Sequence, residues 1–221
     1  MDFQLKSIRI NSTGFIEVWR DAFSHWGFRI QFSITMLVVF SFSFIFHYFF
    51  PFVESRNGSL LSDVVLLFIP PADVSGIVFF FLYSGIFIGL LSHYQHPKVI
   101  LLIFQTYALV TLTRIVTITL LPLEPPIGYI PLREPFVQLF TPGGTIISKD
   151  LFFSGHMSTI LSLYFASYRF YTRAFLLFSA LMIGVLLLIQ HVHYSIDVLV
   201  AVPVTYVIYY FCKKYLGGKS Y

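Results

Sequence analysis

Residues 30–53 read IQFSITMLVVFSFSFIFHYFFPFV and contain no Asp, Glu, Lys or Arg. A bilayer-spanning helix needs about 20 mostly apolar residues, and this stretch supplies them without interruption. Five more stretches follow the same rule: 74–92, 99–122 (interrupted by Arg114), 154–168, 174–190 and 194–215. The fourth is short in apolar terms and needs Ser154, Gly155 and His156 to reach across, which puts a polar first turn near a boundary. The composition agrees. The chain is 57% hydrophobic and 19% aromatic, with only 11% charged residues, against about 25% charged in soluble domains. A soluble protein so composed could not cover its core with polar surface, so the bilayer is its natural solvent. The expected fold is all-α: a polytopic membrane protein, a six-transmembrane-helix bundle with an N-terminal interfacial helix.

The spans divide the chain. Residues 1–28 mix Phe3, Ile8, Phe15, Trp19, Phe23 and Trp26 with Lys6, Arg9 and Arg20, as expected of an amphipathic segment lying on the membrane. Residues 29–217 form the membrane domain and 218–221 a cytosolic tail. No removable secretory signal is expected. The longest connection, 123–153, holds Pro125, Pro126, Pro131, Pro135, Pro142, Gly143 and Gly144. Connections beyond about 12–15 residues are usually functional or disordered, so this one is expected to fold over the mouth of a site. The single cysteine, Cys212, rules out an intrachain disulfide and a cysteine-built metal site. Basic residues orient the chain. With the N-terminus inside, Lys6, Arg9, Arg20, Arg29, Lys98, Arg169, Arg173, Lys213, Lys214 and Lys219 are inside, and Arg56, Arg133 and Lys149 outside. Both termini are then cytosolic.

This topology gathers the unusual polar residues. His156 opens the fourth span from the non-cytosolic side, His193 and Asp197 open the sixth from that side, and Arg114 lies late in the third. Charges inside a membrane are expensive and usually functional. His193 and Asp197 are four apart and share a helix face. Asp197 could bond His193 or a histidine across the site, and in either case a carboxylate fixes the imidazole's tautomer. One imidazole can then attack phosphorus and the other protonate the departing oxygen. Ser154 and Gly155 begin a helix, where backbone N–H groups bind anions, and Arg114 offers a permanent charge with forked donors for phosphate oxygens.

The segments Asp150-Leu-Phe-Phe-Ser154-Gly155-His156-Met157 and His193-Tyr194-Ser195-Ile196-Asp197-Val198 resemble the type-2 phosphatidic acid phosphatase superfamily, and more closely its sphingomyelin synthase branch. That branch reads C-G-D-x-x-x-S-G-H-T and H-Y-T-x-D-V. Arg114 through Thr117 with Pro122, and Pro70 through Asp73, resemble two weaker motifs of the branch. The resemblance covers roughly residues 60–210. It implies a membrane lipid phosphotransferase or hydrolase with His193 as nucleophile, Asp197 as its helper and His156 as acid/base, on the exoplasmic side. Arg114, Ser154, Gly155, Asp150 and Tyr194 make up the expected substrate-binding set. Met157 replaces the branch's Thr, and Ser148-Lys149 replace its Cys-Gly. Where ordinary phosphatases of the superfamily carry a Ser-Arg pair, this chain has Leu186-Leu187. A phosphate monoester is close to a dianion and calls for several fixed cations; a single intramembrane arginine favours a diester.

The plain structural readings stand beside these. His47, His93 and His96 are read as interfacial packing and His191 as structural or supporting. Arg114 is read either as a phosphate ligand or as a partner for Asp150 or Asp197, and Asp150 either as a helix cap or as part of the site. The aromatic excess is read as lipid contact. No metal or other cofactor is expected. The expected function is cleavage of a phospholipid phosphodiester and transfer of phosphocholine or phosphoethanolamine, through a phosphohistidine, to ceramide, diacylglycerol or water. The rivals are a phosphatase acting on monoesters such as phosphatidic acid or polyprenyl pyrophosphate, and a non-catalytic lipid transporter or scaffold. The expected partners are a phospholipid donor, a lipid-alcohol acceptor and the membrane, without nucleic acid; a homo-oligomer is compatible. The short termini point to a bacterial inner membrane rather than the Golgi or plasma membrane.

Overall fold

The computed structural model describes residues 14–133 and 147–216. The first 13 residues of the expected interfacial segment, residues 134–146 of the long connection (including Pro135, Pro142, Gly143 and Gly144) and the tail 218–221 lie outside them. Among the described residues the chain is helical: α1 Phe15–Ser24, α2 Trp26–Glu54, α3 Ser75–Leu91, α4 Pro97–Leu120, α5 Gly155–Ala166, α6 Phe170–Ile189 and α7 Ser195–Phe211, which continues into a π-turn over Cys212–Leu216. A 3₁₀ turn occupies Leu66–Phe68. The described residues contain no strand, only an isolated bridge between Ser59 and Leu123.

A helix stands at each of the six expected spans, but they differ in reach. Four are long and apolar enough to cross a membrane: Trp26–Glu54, Pro97–Leu120, Phe170–Ile189 and Ser195–Leu216. α3 has 17 residues. α5 has 12, or about 18 Å of helix, against a hydrocarbon core of roughly 30 Å. The shortness of α5 has a local cause. The segment leading into it is not helical and is buried, with Leu151 at 1%, Phe153 at 0% and Ser154 at 0% exposure. Irregular backbone at membrane depth is tolerated only where protein surrounds it.

α5 is the axis of the bundle, packed against α3, α4, α6 and α7. Its Ile160, with Ile183 and Leu187 of α6 and Val78 of α3, is fully buried. Gly85 allows α3 to approach, because a Cβ there would lie 2.7 Å from the Ile160 side chain. Small residues admit such close contacts between membrane helices. α2, in contrast, packs on α1 and α4 and leaves Leu37, Phe40 and Phe44 exposed, as suits a lipid-facing helix. At one end of the bundle Trp19 of α1 donates to the Tyr94 carbonyl at 2.8 Å. There, too, His93 is fully buried, its Nδ1 2.9 Å from the Gly89 carbonyl and its Nε2 3.3 Å from the Ser167 hydroxyl. At the other end the connections interlock. Ser59 and Glu124 exchange backbone bonds with the 122–124 and 59 backbone, Ala72 donates to Ile189, and Ile130 donates to Gln190. Arg56 donates to the carbonyls of Ile118 and Thr119, each at 2.7 Å, and so satisfies the last turn of α4.

Gly85→Val is expected to overpack the α3–α5 contact and destabilise the protein by about 1–3 kcal/mol. Gly76→Val, where a Cβ meets nothing within 4 Å, is expected to stay within about 0.5 kcal/mol. Thermal unfolding in detergent measures both; equal shifts would show that the contact is not tight.

Candidate active site

Arg114 organises the centre. Its guanidinium sits on the inner face of α4 and pairs with the Asp150 carboxylate at 2.5 Å. Its Nε donates to the Phe153 carbonyl at 3.3 Å. Asp150 therefore does not cap α5. That role falls to Ser154, whose hydroxyl accepts the Met157 N–H at 3.4 Å. Drawing the 147–154 segment onto Arg114 has a backbone consequence: Phe152 and Phe153 adopt φ of 66° and 48°, left-handed values that bulky residues seldom take and that cost about 1–3 kcal/mol each. Gly155 follows directly. A Cβ there would run into the Arg114 guanidinium, so glycine is required where α5 begins. Burial alone would push the Asp150 carboxyl up, but the Arg114 guanidinium beside it, helped by the imidazoles of His193 and His156, holds it below its usual value.

The second half of the site is the start of α7. His193 Nδ1 lies 3.2 Å from Asp197 Oδ2, so Asp197 bonds the histidine one turn before it. The same oxygen accepts the Tyr194 N–H at 3.1 Å, and the Asp197 carbonyl accepts the Ser154 N–H at 3.1 Å. Asp197 is fully buried and His193 is 3% exposed. A carboxylate can only accept, so Nδ1 carries a proton and the Nε2 lone pair points away from Asp197. The Ser154–Asp197 bond ties the first turn of α5 to the first turn of α7, and with it the two histidine segments.

Four site residues, Arg114, Asp150, Gly155 and His156, form the polar end of a cavity of about 340 Å³ between α2, α3, α4 and α5. The cavity continues along Phe46, Phe50, Leu82, Ile86, Tyr107, Val110 and Leu163 and is otherwise mainly apolar. His156 also meets the Phe79 ring edge-on at 6.1 Å. His193 and Asp197 are not among its lining residues. Tyr194 is 1% exposed; its hydroxyl donates to the Glu124 carbonyl at 2.9 Å and accepts the Leu61 N–H at 3.1 Å, pinning two connections.

Several residues absent from the sequence-derived set hold the site. The Glu54 carboxylate accepts from the Ser148 N–H, the Ser148 hydroxyl and the Lys149 N–H, each at 2.7 Å. It thereby fixes the backbone next to Asp150. Lys149 reaches the Arg56 carbonyl at 2.6 Å and Glu124 at 2.9 Å; that ammonium and the Gly58 N–H hold the Glu124 carboxyl below its usual value. Asp63 accepts the Ser195 N–H at 2.5 Å. Burial pushes its carboxyl up, yet the bonds from Ser195, Val65 and Leu66 outweigh that and lower it. Tyr129 donates to the Ile147 carbonyl at 3.0 Å, and burial with the nearby Glu54 and Asp150 raises its hydroxyl to about 12. One signal for Glu54 stood in the sequence: it is the first charge after the long uncharged run 30–53.

No curated protein sequence matches the chain. Residues 149–214 match the family model PAP2_C, described as the PAP2 superfamily C-terminal. That span contains Asp150, Ser154, Gly155, His156, His193, Tyr194 and Asp197, and over it the chain is similar to the type-2 phosphatidic acid phosphatase superfamily.

Proposed function

We propose that this protein is a membrane enzyme that cleaves a phospholipid phosphodiester and passes the phospho-head group to a lipid alcohol, ceramide or diacylglycerol, or to water. The observation that carries this reading is the cavity: an apolar chamber whose polar end is Arg114, Asp150 and His156. Such a space suits a lipid whose chain lies among Phe46, Ile86 and Leu163 while its phosphate lies at Arg114. Among the described residues that line it, Arg114 is the only Lys or Arg, which suits the single negative charge of a diester. Asp150 gives up Arg114 to the phosphate and turns to the cationic end of a choline or ethanolamine head group. The N–H groups of the first turn of α5, beside Ser154 and Gly155, add to the phosphate cradle.

In this reading His193 attacks phosphorus through Nε2, with Nδ1–H held by Asp197. His156 protonates the departing diacylglycerol oxygen as the P–O bond breaks, leaving a phosphohistidine on His193. His156 then takes the proton of the incoming hydroxyl, whose oxygen attacks phosphorus and releases His193. Tyr194 acts through the connections it pins. The excess of basic residues on the other ends of the helices supports a site on the non-cytosolic face with both termini cytosolic.

His193→Ala is expected to abolish product formation, and His156→Ala to lower kcat by roughly 10²–10⁴-fold. Mass spectrometry of products from the purified protein given mixed phospholipids, with and without ceramide, reads both. Turnover surviving His193→Ala would exclude the mechanism, and a strong preference for phosphatidic acid would favour the monoester phosphatase. Asp150→Asn is expected to narrow the preference for phosphatidylcholine or phosphatidylethanolamine over phosphatidylglycerol by roughly tenfold, or about 1.4 kcal/mol. An unchanged ranking of the three lipids would remove Asp150 from head-group recognition.

A further inference from the structure

His191 lies in the turn between α6 and α7 and is 4% exposed. Its backbone has φ of 53°, a left-handed conformation that persists only when its surroundings hold it. Both ring nitrogens meet carbonyl oxygens: Nδ1 lies 2.7 Å from Ile127 O and Nε2 2.8 Å from Ile69 O. A carbonyl oxygen only accepts, and a neutral imidazole has one N–H and one lone pair. The neutral ring would therefore press a lone pair against one of the two carbonyls. Only the imidazolium donates to both, and both distances fall in the range of charge-assisted bonds.

Burial opposes a cation here, and the position supplies an offset. His191 directly follows the C-terminal turn of α6, where its N–H bonds the Leu188 carbonyl, and the negative end of a helix dipole favours positive charge. The charged groups of the surrounding segments are engaged elsewhere. On the 55–74 connection Asp73 binds Ser75 and Asp63 binds Ser195. On the 121–133 connection Glu124 binds Lys149, and the Arg133 charge acts on Asp73. On its own turn His193 is paired with Asp197.

We propose that His191 is a positioning residue that works as an imidazolium, stapling the Ile69 and Ile127 connections to the turn that presents His193. Losing its proton breaks one staple and loosens that turn. The staple needs a proton on each ring nitrogen and is lost when one of them leaves. Its consequence for turnover rests on the function proposed above; the staple itself does not.

The test uses the full chain in lipid nanodiscs, with hydrogen–deuterium exchange at pH 6 and pH 9 corrected for intrinsic rates. Wild type is expected to protect the amides of 64–72 and 126–130 more strongly at pH 6, and His191→Gln, which titrates nowhere in this range, is expected to lose that difference. Equal protection at the two pH values in wild type overturns the proposal, as does a difference that persists in the variant. Ring ¹⁵N spectra of wild type at pH 6 decide the case should the variant not fold: a histidine with two slowly exchanging ring protons is expected, and its absence overturns the proposal. Protein that shows the protection change yet turns over no phospholipid would refute the proposed function and leave the staple standing.

Discussion

A guanidinium in an apolar helix needs partners, and Arg114 finds them in the loop ahead of α5. The charge sits in α4, where leaving it unpaired would be severely unfavourable. Its pairing with Asp150 and the Phe153 carbonyl pulls the 147–154 backbone into the bundle. From that one contact follow the left-handed Phe152 and Phe153, the need for glycine at 155, the late start of α5 and the position of His156 at the cavity's end. The favourable terms, a charge-assisted ion pair and the hydrophobic burial of Leu151 and Phe153, offset the strained backbone.

The other half of the centre rests on a carboxylate. Asp197 orients His193, receives the Tyr194 amide and, through its own carbonyl, holds Ser154. One residue thus connects the first turns of α5 and α7, and the histidine motifs, which lie far apart in sequence, share a supporting framework. Around them the connections at this end form a collar. Glu54 holds Ser148 and Lys149, Arg56 closes α4, Tyr194 pins Leu61 and Glu124, and His191 spans Ile69 and Ile127. Site residues held by such second contacts keep their geometry better than residues on free loops.

The residues proposed for the chemistry could be picked out before any coordinates, because an Arg inside an apolar run and a Ser-Gly-His beside a helix start stand out against their neighbours. The span count was less so. Hydropathy recognised six apolar stretches, and α5 is apolar, but it runs only 12 residues, Gly155–Ala166, inside the expected 154–168. Open alternatives also closed in the structure. Asp197 bonds His193, which lies in the turn ahead of α7 rather than on the helix itself; Arg114 takes Asp150; and Ser154, not Asp150, caps α5. Glu54 and Asp63 gave little local sign of their tasks, since their partners lie 94 and 132 residues away.

What the amino-acid sequence determined by itself is the helical, membrane-embedded character of the chain and the candidate residues from which the proposed chemistry is built. Both are sums over neighbouring side chains: transfer free energy accumulates along a helix, and a motif is a local string. What only the tertiary structure decided is which charge meets which, where the cavity opens between α2, α3, α4 and α5, and which loop residues hold the histidines. Those depend on distances across the bundle, and hydrogen bonds and ion pairs act over a few ångströms of space whatever the separation along the chain.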